Sequence, residues 1–123
     1  MSEKIKILIV EDEGIVSIDI RNILKNLGYN YIEVAFTGEE ALNKTQDWEP
    51  DVILMDIGLK GDIDGIEAAG KIKNRINTPI IFLTGFADDN TLARANKINP
   101  VGYIIKPINN KDLDDAISKA LSG

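Results

Sequence analysis

Five short apolar runs, Ile5–Val10, Tyr31–Ala35, Val52–Met55, Ile80–Leu83 and Tyr103–Ile105, recur along the chain with helix-like segments between them. Alternation of this kind is the pattern of a parallel sheet wrapped by helices. The first, third and fourth runs are continuously apolar and rich in Ile, Val and Leu, as central strands covered on both faces must be. The run from Tyr31 is more mixed and suits an edge.

The intervening segments carry their own signals. Val16, Ile20, Ile23, Leu24 and Leu27 line one face ahead of Gly28, which offers a left-handed C-cap, so the spacing predicts a helix over about Glu13–Leu27. Thr37 and Glu40 have capping-box spacing, which starts a second helix near Gly38 and ends it around Asp47, before Pro50. Leu113, Ala116, Ile117, Ala120 and Leu121 form a closing amphipathic stripe with Asn109 or Asn110 as its cap. Ile66–Arg75 and Asp89–Lys97 are further helical segments with shorter apolar faces that include Gly70 and Asn96. No internal repeat, low-complexity tract or linker interrupts the pattern, so residues 1–123 read as one domain.

Composition narrows the chemistry. The 123 residues, 44% hydrophobic, are enough for one real core and too few for two. No cysteine is present, which removes disulfides, thiolate nucleophiles and Cys-ligated metals. Histidine is also absent, so an imidazole base, metal ligand or phosphoryl carrier must come from a partner. Acids outnumber Lys and Arg by 20 to 14, and the net charge of −6 disfavours indiscriminate binding to nucleic acid or anionic membranes. Met1-Ser2-Glu3-Lys4 leads into a short apolar segment with no secretory cleavage pattern, so a cytoplasmic, unprocessed protein is expected.

Each buried run is followed by a polar residue. The first leads into Glu11 and Asp12, the third into Asp56, the fourth into Thr84 and the fifth into Lys106. In open α/β sheets ligands bind outside the C-terminal strand ends, where strand order reverses. An order of 2-1-3-4-5 puts that point between the first and third strands, which gathers Glu11, Asp12 and Asp56. Three carboxylates in one crevice repel one another, and a hard divalent cation, Mg²⁺ foremost, relieves the repulsion. Asp56 is ionised at neutral pH and can act as a nucleophile without histidine. With metal and Lys106 neutralising a transferred phosphoryl group and the Thr84 hydroxyl donating to it, the expected product is an aspartyl phosphate.

Plainer readings exist for each residue alone. An acid after a strand is usually a helix cap or a solvated loop residue, and Tyr103 is by default a half-buried sheet aromatic. Trp48 reads as packing. An Asp-nucleophile phosphatase would need a second acid where Gly58 stands. A flavin-mononucleotide carrier would need a phosphate loop where Glu11, Asp12 and Glu13 stand. Asp62 and Asp64 suggest a calcium loop, but its first and last ligand positions fall on Lys60 and Lys71.

Taken together, the segments Ile7–Glu13, Asp51–Asp56, Asp64–Glu67, Pro79–Gly85 and Gly102–Pro107 resemble the receiver domain of two-component response regulators over essentially the whole chain. The resemblance implies a flavodoxin-like, doubly wound five-stranded parallel sheet with five helices. It implies that Asp56 takes a phosphoryl group from a phosphohistidine of a sensor histidine kinase, and that the domain is a switch whose only catalysis is its own phosphorylation and dephosphorylation. Glu11 and Asp12 then help hold Mg²⁺, with the Gly58 backbone carbonyl completing the protein ligands and Thr84 and Lys106 contacting the phosphoryl group. Tyr103 corresponds to a switch aromatic that turns inward when Thr84 moves, so that the face of the fourth helix, fifth strand and last helix rearranges. The Lys106–Pro107 bond is expected to be cis. Lys60 stands where proline is frequent, and the loop from Asp56 to Gly65 is longer by a residue. Gly58 leaves one side of the acceptor open, and Phe86 is placed to shield another. The expected output is contact with a downstream protein or phosphotransfer to a histidine phosphotransfer partner. The alternative is a phosphorylation-independent interaction module of the same fold.

Overall fold

The structure, a computed structural model, describes residues 4–85 and 88–122, so Phe86 and the leading Met1–Glu3 lie outside the described residues. In chain order the elements are β1 (Lys6–Val10), α1 (Gly14–Asn26), β2 (Tyr31–Ala35), α2 (Gly38–Asp47), β3 (Val52–Asp56), α3 (Gly65–Lys73), β4 (Ile80–Thr84), α4 (Asp89–Asn96), β5 (Gly102–Ile105) and α5 (Asn110–Ser122). The five strands form one parallel sheet in the order β2-β1-β3-β4-β5. This is the flavodoxin-like arrangement expected from the sequence, with the mixed Tyr31 strand at one edge.

Side chains alternate across a strand, so each continuous apolar run divides between two helical layers. Leu8, Val10, Ile53, Met55, Ile80 and Phe82 pack with Ala41, Ile66, Ala69, Ile72 and Ala95 of α2, α3 and α4. Ile7, Ile9, Val52, Leu54, Ile81 and Leu83 pack on the opposite side with Ile20 and Leu24 of α1 and Leu113 and Ile117 of α5. Full burial of each such aliphatic side chain contributes roughly 1.5–3 kcal/mol, which is why polar residues in the three central strands are confined to their ends, Lys6 at the start of β1 and Asp56 and Thr84 at the ends of β3 and β4.

The helix ends show why the elements stop where they do. Gly28 has φ +101°, its N–H donates to the Lys25 carbonyl, and the Tyr29 N–H donates to the Leu24 carbonyl. That pair of bonds is a Schellman motif, and it needs the left-handed backbone glycine adopts freely. Thr37 Oγ1 accepts from the Glu40 N–H, while Glu40 Oε1 reaches back to the Phe36 N–H, one residue beyond the partner a capping box uses. Asn109 rather than Asn110 caps α5, its Oδ1 accepting from the Asp112 N–H at 2.8 Å. The two segments with short apolar faces are held by caps that the sequence reading did not single out: Asp64 accepts from the Glu67 N–H and Asp88 from the Thr91 N–H. Asp64 is therefore a helix cap, in keeping with the rejection of a calcium loop. Trp48 packs against the core with the Lys6 ammonium 5.9 Å from its ring centroid.

Candidate functional site

Two of the polar rim residues prove to be the final residues of their strands. Asp56 pairs in register with Leu83, and Thr84 with Ile105. The ladder runs on past them because the Ile57 N–H donates to the Leu83 carbonyl and the Lys106 N–H to the Thr84 carbonyl. Both side chains are thus held on sheet backbone instead of loop backbone.

Glu11, Asp12 and Asp56 converge: one carboxylate oxygen from each lies within 4.8 Å of the others. Hard divalent cations take such all-oxygen sets, so this cluster can bind a metal ion. Lys106 reaches into the same crevice, its Nζ 2.8 Å from Glu11 Oε1 and 3.5 Å from Asp56 Oδ2. Glu11 is fully buried, and its other oxygen accepts from the Glu13 N–H at 3.2 Å. Burial pushes the Glu11 carboxyl up to about 7 from an ordinary 4.5, against the Lys106 hydrogen bond, while the Asp56 charge pushes it the same way. Burial alone would lower the Lys106 ammonium, but hydrogen bonding to Glu11 and the charge of Asp56 leave it raised and firmly cationic. The crevice is therefore short of positive charge with Lys106 alone.

A cavity of about 270 Å³ opens over these groups, lined by Asp12, Asp56, Gly58, Lys60, Thr84 and Lys106 among others. Thr84 Oγ1 is buried without a hydrogen-bond partner among the described residues. An orphaned buried hydroxyl costs about 1–3 kcal/mol, a penalty removed by any ligand oxygen that reaches it. The donor set suits a tetrahedral oxyanion held beside a cation.

The loop after Asp56 is pinned at several points. Leu59 and Ile63 are buried in the core, and Gly58 donates its N–H to Asp56 Oδ1 at 3.0 Å. The Lys60 N–H donates to Asp12 Oδ2 at 3.0 Å. Proline has no N–H, so the replacement at this position gives the chain a backbone donor that orients Asp12. Gly65 opens α3 directly against the end of β3, where a Cβ would fall 2.0 Å from the Asp56 carbonyl oxygen. Its necessity was not visible in the sequence, because the close approach is made by residues brought together only by the fold.

Tyr103 sits on the same side of the sheet as Thr84 and Phe82. Its ring stacks on Phe82 with centroids 6.0 Å apart, and its hydroxyl donates to Asn96 Oδ1. The Lys106–Pro107 peptide is cis, as the resemblance implied. Gly58 lines the cavity, and Phe86 lies outside the described residues.

Comparison with known proteins follows the same lines. The Mycobacterium tuberculosis transcriptional regulatory protein PdtaR is 33% identical over 117 residues, which are 95% of this chain and 57% of PdtaR. The chain thus spans about half the length of the curated relatives it matches. The signal receiver domain of a modulated diguanylate cyclase from Desulfovibrio desulfuricans G20 superposes with a TM-score of 0.92 at 38% identity, covering 98% of this chain and 95% of that one. A CheY-like response regulator receiver domain protein from Methanospirillum hungatei JF-1 gives 0.89 at 30% identity, with 98% and 95% covered. The family model described as the response regulator receiver domain matches residues 7–118. By its strand order, its rim of acids and this match, the chain belongs to the receiver domain family of two-component response regulators.

Proposed function

We propose that this chain is a phosphoacceptor switch in which the Asp56 carboxylate takes a phosphoryl group from the phosphohistidine of a sensor histidine kinase. The observation that carries the reading is the pairing of a converged acid trio with a buried Thr84 hydroxyl that has no partner among the described residues, beside one cavity. An Asp56 oxygen forms the new O–P bond as the kinase's N–P bond breaks, and the departing imidazole takes up a proton. Glu11, Asp12, Asp56 and the Gly58 carbonyl would hold Mg²⁺, with Glu11 also pairing with Lys106. When bound, the metal supplies the positive charge that lets an anionic nucleophile meet an anionic phosphoryl group. Lys106 lies 3.5 Å from Asp56 Oδ2, close enough to pair with a phosphoryl oxygen, and Thr84 supplies a hydrogen bond to another. Tyr103 then shifts inward and the α4–β5–α5 face changes, altering contact with a downstream protein or a histidine phosphotransfer partner. The domain turns over no separate substrate. In this reading residues 1–123 form a single receiver domain acting in the cytoplasm, without direct contact to nucleic acid or membrane. Among the described residues, no helix is long and apolar enough to cross a membrane.

Intact-mass analysis after incubation with Mg²⁺ and a small acyl-phosphate donor tests this. One phosphoryl adduct is expected on the natural chain and none on Asp56→Asn or after chelation. Failure of the natural chain to gain mass would leave the phosphorylation-independent interaction module as the better account.

A further inference from the structure

Among the described residues, the Tyr103 hydroxyl has a hydrogen-bond partner and the Thr84 hydroxyl has none. The Tyr103 hydroxyl donates to Asn96 Oδ1, while Thr84 Oγ1, on the same side of the sheet, is buried and unsatisfied. The β4–β5 register puts Thr84 opposite Ile105 and Phe82 opposite Tyr103, so Tyr103 is the diagonal neighbour of Thr84. Its ring rests on Phe82 while its hydroxyl is drawn outward to the end of α4. Asn96 is the last residue of that helix, and its backbone carbonyl accepts from the Asn99 N–H at 3.1 Å, where Asn99 turns the chain with φ 57°. The turn fixes the backbone from which the Asn96 side chain reaches Tyr103.

We propose that Asn96 is a positioning residue that clasps Tyr103 in its resting orientation and thereby sets how much phosphoryl binding is needed to turn the switch. This rests on the phosphoacceptor reading above. α4 is the natural place for such a clasp, because Ala95 is its one buried residue. A helix so lightly anchored is held in part by what its end residue grips, and release of Tyr103 frees the α4 terminus in the same step. The bond exists only in the resting arrangement, so removing it lowers the cost of the switched state and leaves the acceptor chemistry untouched.

The test compares Asn96→Leu, which keeps the volume and loses the acceptor, with Asn96→Asp, which keeps an acceptor oxygen. Ring ¹³C–¹H signals of Tyr103 are followed by NMR without ligand, the chain having three tyrosines to assign. The same signals are followed during titration with beryllofluoride and Mg²⁺ as a phosphoryl mimic. Asn96→Leu should shift the ligand-free Tyr103 signals toward the switched position and lower the titration midpoint by roughly two- to ten-fold, the span of one ordinary hydrogen bond. Asn96→Asp should restore the natural values, and Asn96→Leu should do nothing further in a Tyr103→Phe background. If the natural chain binds the mimic while Asn96→Leu leaves both ring signals and midpoint unchanged, the clasp is wrong. If the natural chain binds no mimic at all, the phosphoacceptor reading fails and the switching role falls with it. The ligand-free ring signals report the clasp separately in either case.

Discussion

The helices on either side of β4 are built to different standards. α3 buries Gly65, Ile66, Ala68, Ala69 and Ile72, whereas α4, nearly as long, buries Ala95 alone. The loop entering α3 is pinned to the acceptor strand, to Asp12 and to the core, while the contacts of α4 toward the site run through exposed or half-buried polar groups such as the Arg94–Asp64 ion pair and Asn96 with Tyr103. Local opening is easiest where few apolar contacts must be given up. The molecule thus keeps its acid crevice firmly packed and leaves α4 lightly held, a division that suits the switching role proposed above.

The rigid side should break hardest. Gly65→Ala puts a methyl group against the Asp56 carbonyl and is expected to cost about 3 kcal/mol or more, measured by denaturant unfolding. At Gly102, in β5, nothing among the described residues lies within 4 Å of an added Cβ, and Gly102→Ala should stay within about 0.5 kcal/mol. Equal losses at the two glycines would erase the contrast.

Charge in the crevice makes stability depend on pH. The folded Glu11 carboxyl titrates at about 7, above its ordinary 4.5, so the folded chain keeps a proton that the unfolded chain releases first. Its contribution is present in full below the unfolded value and is lost as pH rises through the folded one. Metal-free chain should lose on the order of 1–3 kcal/mol between about pH 5 and pH 8. Mg²⁺, which prefers deprotonated carboxylates, should flatten that slope, and so should Glu11→Gln. A metal-free stability that rises over the same range would contradict the sign.

The smallest expected effect is at the start of α4. Asp88→Ala removes the N-cap of α4 and should quicken amide exchange there by roughly three- to ten-fold, leaving α3 protection nearly unchanged. Acceleration shared by both helices would mean that they open together.

Much of this organisation was legible in the sequence, for a local reason. A strand buried on both faces advertises itself as a continuous apolar run, and the residue that ends the run must be the one at the sheet's edge. Glu11, Asp12, Asp56, Thr84 and Lys106 could be named that way, and the switch point between β1 and β3 brings the acids together. What stayed hidden depends on contacts that no residue spacing announces: the Lys60 N–H on Asp12, the approach of Gly65 to Asp56, and the grip of Asn96 on Tyr103. The aspartate caps of α3 and α4 were within reach, since Asp64 and Asp88 each stand three residues before the N–H they satisfy.

Chemical trapping of the acceptor reaches the central claim most directly. Borohydride reduction of an acyl phosphate converts the aspartate that bore it to homoserine, and peptide mass analysis then gives its position. After Mg²⁺ and a small acyl-phosphate donor, homoserine should appear at position 56 and nowhere else. Homoserine at position 12, or at no position, would contradict the account.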